Sequence, residues 1–129
     1  MISFERQNVN FKGKKTSDCV IRALCKASGR KYEEVAKELF DIYMKTGYMM
    51  NDKHCYEKWL EQNGFTKFKQ PRHSDKTKYL VGEIEDLAPS EGGVVISLAN
   101  HLTAVCDGVL YDLWDCRHKT IGNYWYKED

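Results

Sequence analysis

The hydrophobic period of this chain changes partway along, and that change limits the fold more than any other feature. Up to about residue 62, apolar residues recur with the spacing of one helix face; from Gly93 onward they form short strand-like runs. No repeat, linker or low-complexity tract separates the two halves. With 129 residues, the expectation is a single α+β domain over residues 1–129. N-terminal helices should pack on a small antiparallel sheet.

Residues 1–15 are polar with scattered aromatics and read as an extended arm. Thr16, Ser17 and Asp18 are three N-cap residue types in a row, and the segment after them reads as a helix to about Ser28. Val20, Ala23, Leu24 and Ala27 make its buried stripe, and Gly29 stops it. A second helix is predicted over 32–45 and a third over 51–62. Beyond them come a short strand over 65–68, a polar loop over 71–77 and a short helix over 81–87. Strands are predicted over 94–98, 102–106, 109–114 and 123–126. Asp107-Gly108 marks a two-residue hairpin turn.

The 20 basic and 19 acidic residues leave a formal net charge of +1, which gives no global attraction to nucleic acid or an anionic membrane. Local basic clusters at 12–15 and 67–78 read as solvated faces. The longest apolar run, at 94–98, is far too short to span a bilayer. No secretory signal pattern opens the sequence, so a cytoplasmic location is expected. The odd number of cysteines, five, argues against a disulfide framework. No nucleotide-binding or zincin string occurs, and no cofactor is expected. The pairs His54-Cys55 and Cys116-x-His118 match no common zinc spacing, so no metal is expected either.

Cys19 follows the N-cap cluster directly, which puts its sulfur at the amino end of a helix. Unpaired backbone N–H groups and the helix dipole there favour the thiolate, the form that acts as a nucleophile. His101 opens one strand and Asp112 lies near the end of the next, so the hairpin brings them together. A carboxylate in that place fixes the imidazole tautomer and stabilises its protonated form. Asp115 competes for the role, but alternation along a strand puts it on the face opposite Asp112.

The order of Cys at a helix start, His on one strand and Asp on the next resembles that of papain-like cysteine peptidases. The string Asp112-Leu113-Trp114 resembles their Asn-Ser-Trp, with Asp112 in the Asn place and Trp114 in that of the Trp shielding the triad. Asp18-Cys19-Val20-Ile21-Arg22-Ala23-Leu24 and His101-Leu102-Thr103-Ala104-Val105 are similar to segments of small papain-like or C39-like proteins from Gram-positive bacteria and their phages. The resemblance implies a papain-like fold and a Cys19-His101-Asp112 triad that hydrolyses a peptide or isopeptide bond through an acyl-enzyme. A peptide or protein substrate is the implied partner. Papain-like enzymes carry an oxyanion-hole Gln six residues before the nucleophile; that position here is Gly13, so the donor is expected to be Asn10, with Gln7 and Asn8 as further amides. The alternative is a papain-like binding module that has lost activity.

Overall fold

A computed structural model describes residues 1–128. The first helix, α1 (Cys19–Ser28), ends at Gly29, whose φ of +74° lets its N–H reach the Cys25 carbonyl. Helix α2 (Tyr32–Thr46) has Glu33 and Glu34 in its first turn and Lys45 in its last, each complementing the helix dipole. Helix α3 (Lys53–Gln62) starts two residues later than the pattern predicts. Asp52 is the reason: its side chain accepts the His54 N–H and caps the helix there. The predicted short helix is a 3-10 turn at Val81–Asp86.

Six strands form one sheet: β1 (Ser3–Arg6), β2 (Thr66–Phe68), β3 (Gly93–Leu98), β4 (His101–Cys106), β5 (Val109–Asp112) and β6 (Tyr124–Tyr126). Their order across the sheet is β1-β5-β4-β3-β6-β2. Asp107 (φ +49°) and Gly108 (φ +79°) turn β4 into β5, as the Asp-Gly pair predicts. The expectation of a wholly antiparallel sheet is corrected at one edge. The arm contributes β1, which pairs in parallel with β5, Arg6 lying opposite Asp112. A parallel pair needs a long crossover, and here the crossover is the entire helical half. The short, mostly exposed Ser-Phe-Glu-Arg run gives no periodicity that would reveal it.

The sheet is buried on both faces, which is why β3 reads as a continuous apolar run rather than an alternating one. Val95, Leu102, Ala104 and Trp125 pack under α1, α2 and α3. Val94, Ile96, Val105 and Leu110 face the other way, beneath Val81, Ile84, Cys116 and Ile121. On the helical side Trp59 is fully buried, and its indole N–H donates to Glu38 at 2.9 Å. Among the described residues no helix is long and apolar enough to cross a membrane.

Helix α1 lies along β4 in the same direction. Its amino end sits by His101, and the Cys106 thiol donates to the Lys26 carbonyl near its carboxyl end. The contact with β3 is equally close. A Cβ built on Gly93 would stand 2.0 Å from the Ala27 carbonyl oxygen, so no side chain fits there. This close seating fixes the position of α1, and therefore of Cys19, relative to the sheet.

Candidate active site

Cys19, the first residue of α1, is half-buried, and His101, the first residue of β4, is within hydrogen-bonding reach of its sulfur. His101 Nε2 lies 2.7 Å from Asp112 Oδ2, at the end of β5. That contact leaves Nδ1 as the ring nitrogen available to the thiol. Three residues singled out from the sequence thus lie together, Asp112 bonded to His101 and the His101 ring beside Cys19. Asp115 is not part of it; its carboxylate holds Arg117 at 2.8 Å.

Asp112 is 2% exposed and accepts four hydrogen bonds. Oδ2 takes His101 Nε2 and the Thr103 hydroxyl (2.6 Å). Oδ1 takes Arg22 Nη1 (3.1 Å) and the Leu113 N–H (2.7 Å). Burial works against its charge, but these donors and the neighbouring imidazolium hold the carboxyl below its usual range. Four bonds use the capacity of a carboxylate. His101, Asp112 and Cys116 bring their ligand atoms within 4.8 Å of one another, yet Asp112 has no lone pair left for a metal ion. The His54-Cys55 and Cys116-x-His118 pairs have other partners or none in common. His54 binds Asp52 at 2.8 Å, and the buried Cys55 thiol donates to the Leu39 carbonyl.

The electrostatics divide the five thiols. Burial pushes Cys19 up; the His101 hydrogen bond, the Leu102 backbone N–H and the charges of His101 and Arg22 outweigh it, and the thiol falls below its ordinary value. His101 is the complement. Burial lowers it, and its bonds to Asp112 and Cys19 then raise it to about 9. These opposite shifts both act in the direction of a thiolate–imidazolium pair. Burial dominates the other four: Cys25 and Cys106 rise to about 11, Cys116 to about 12, and Cys55 moves up.

Cys19 and His101 face an open cleft of about 810 Å³, with Tyr56, Asn51 and Asn100 along it and Trp114 at its rim. Trp114 rests against the His101 ring, centroids 5.2 Å apart, as its position after Asp112 suggested. It remains 41% exposed.

The expected oxyanion donor is corrected. The Asn10 amide donates to Asp18 Oδ2 (2.8 Å) and to the Tyr32 hydroxyl (3.2 Å), and its oxygen accepts the Lys12 and Lys14 N–H groups. Both of its protons are spent on folding the arm. The Asn8 amide donates to the Lys14 carbonyl. Gln7 lines a small void with Arg22, Thr103 and Asp112 and is not among the residues lining the cleft. Distance along the sequence from Cys19 says nothing of where a flexible-looking arm turns, and this is why Asn10 misled.

Two residues that shape the site escape a motif reading. Arg22 is buried, with Nε 2.8 Å from Asp18 Oδ1 and Nη1 on Asp112. The Asp18–Arg22 spacing of four is that of a helical ion pair, the one sequence signal for this contact, and it carries no sign of burial. Asp18 is the second. As the residue before the helix it should cap it, yet its side chain makes no cap bond, being held by Arg22, Tyr32 and Asn10. The first-turn N–H groups of α1 therefore receive no capping bond from Asp18.

No protein-family model, curated protein or solved structure matches the chain.

Proposed function

We propose that this protein is a papain-like cysteine hydrolase that cleaves a peptide or isopeptide bond through an acyl-enzyme. The observation that carries the reading is the Cys19–His101–Asp112 chain, whose members are shifted in the directions that make a thiolate and an imidazolium. A second support is the seating of the nucleophile's helix lengthwise on a hairpin that bears the histidine and then the carboxylate. The five unpaired thiols fit a reducing compartment.

The Cys19 thiolate attacks the acyl carbon, forming a C–S bond as the carbonyl electrons move to oxygen. Collapse of that intermediate breaks the C–N bond, and protonated His101 gives its proton to the departing amine. Neutral His101 then takes a proton from water as the hydroxide attacks the thioester. The carboxylic acid is released, and the proton on His101 restores the starting pair with the expelled Cys19 thiolate. Asp112 holds the imidazole in the tautomer that presents Nδ1 to sulfur. The oxyanion is held by the backbone N–H of Cys19, at the uncapped end of α1, with a cleft-lining amide, Asn51 or Asn100, as second donor.

The absence of a committed side-chain donor upstream of Cys19 favours a second reading, a binding module that keeps the scaffold without turnover. Treatment with an activated acetyl ester, followed by mass spectrometry, separates the two. A hydrolase acquires one acetyl group on Cys19 and sheds it within minutes, and Cys19→Ala and His101→Ala lose this turnover. An acetyl group that never forms on Cys19, or forms equally in His101→Ala, contradicts catalysis.

A further inference from the structure

We propose that Arg22 is a positioning residue that sets the spacing between the helix bearing Cys19 and the hairpin bearing His101, an inference that rests on reading those two as the reactive pair. The guanidinium bonds both carboxylates that flank the pair, Asp18 Oδ1 at 2.8 Å and Asp112 Oδ1 at 3.1 Å. Asp18 precedes Cys19 in the chain, and Asp112 holds His101. The links therefore close a ring: Cys19, His101, Asp112, Arg22, Asp18 and back to Cys19 through one peptide bond. Charges alternate from His101 through Asp112 and Arg22 to Asp18, which lets a buried arginine and two buried carboxylates satisfy one another.

The ring is anchored from outside by the Tyr32 hydroxyl of α2 and the Asn10 amide of the arm, both on Asp18 Oδ2. A guanidinium is suited to this task because its planar fork holds two acceptors at fixed angles, whereas an ammonium is a single point. With Tyr32 and Asn10, Arg22 holds the Asp18 carboxylate, which makes no cap bond to the first turn of α1. The other titratable groups around the ring are Tyr56 of α3, Lys26 of α1, Tyr111 of β5, and Cys116.

The test is the rate of iodoacetamide modification of Cys19 between pH 5 and pH 9 in the wild type, Arg22→Met and Arg22→Lys, with the melting temperature of each. Arg22→Lys keeps the charge and covers the case in which Arg22→Met does not fold. Positioning predicts that the folded variants raise the pH midpoint of Cys19 modification by about one unit, a loss of about tenfold in rate at pH 6. A lowered melting temperature with an unchanged Cys19 profile would show that Arg22 serves stability alone and would overturn the proposal. If wild-type Cys19 is itself no faster than the other thiols, the reactive pair fails and the proposal falls with it.

Discussion

At the amino end of α1 the Cys19 thiol lies below its ordinary pKa, whereas in the same helix, two turns closer to Gly29, the Cys25 thiol is pushed up to about 11. Both sulfurs are substantially buried, and burial is the largest influence on each. The helix and the strand it packs on are also the same, since β4 runs from His101 beside Cys19 to Cys106 near the other end. What differs is the company. Cys19 has an imidazole, the Leu102 N–H and a buried guanidinium; Cys25 has the apolar packing of the helical core. A thiol at a helix start is therefore not reactive by position alone. It becomes so where cationic partners outweigh the desolvation that would otherwise protonate it.

The sharpest way to break this contrast is to remove the cation. In His101→Ala, Cys19 loses its hydrogen bond and its counter-charge while burial remains, so its reactivity should fall to that of Cys25. Each unit of pKa regained costs about tenfold in thiolate at neutral pH or below. The measurement is alkylation at pH 6.5 followed by peptide mapping.

The next effect is on stability. Asp112→Ala leaves Arg22 Nη1 and the Thr103 hydroxyl without their buried acceptor, Arg22 keeping only Asp18, and should cost about 3–5 kcal/mol in urea unfolding. Asp112 is held below its ordinary 3.8, so its contribution is full above that value and is lost as the pH falls through its lower folded pKa. His101, raised to about 9, has the opposite sign: its contribution is full below 6.5 and is lost as the pH rises through about 9. Stability should therefore decline on both sides of neutrality in the wild type. Asp112→Asn should flatten the acid side.

Gly93→Ala acts on the geometry rather than the charges. The new methyl meets the Ala27 carbonyl, so α1 must lift from β3, with an expected loss of about 1–3 kcal/mol and a matching fall in melting temperature. Cys25→Ala should have the smallest effect. It removes one buried sulfur, at about 1 kcal/mol, and should leave the Cys19 alkylation profile unchanged.

The end of α1 that carries Cys19 was legible in the sequence because its grammar is local. Thr16-Ser17-Asp18 marks the start of a helix by residue type, although Asp18 makes no cap bond there, and Asp107-Gly108 sets a hairpin register that brings Asp112 beside His101. The parts that were not legible depend on long-range placement. Strand β1 finds its partner across the whole helical half. Asn10 lies in an arm that folds back on Asp18 and Tyr32, so its amide is consumed before it can serve the cleft. Arg22 carries no signal of its bridging role in the sequence, and only its contact with Asp112 of β5 turns it into a buried bridge. Trp114 was placed correctly beside His101, but how much of it solvent would still touch was not in its position along the chain.

The most direct test of the account is the alkylation of all five cysteines in the wild-type protein with iodoacetamide from pH 5 to pH 9, each site followed by mass spectrometry. Cys106 is the internal control, since it is half-buried like Cys19 but carries a thiol pushed up to about 11. The account predicts fast modification of Cys19 alone below pH 7, with Cys106 silent until the most alkaline samples. Modification of Cys19 no sooner than Cys106 would contradict it.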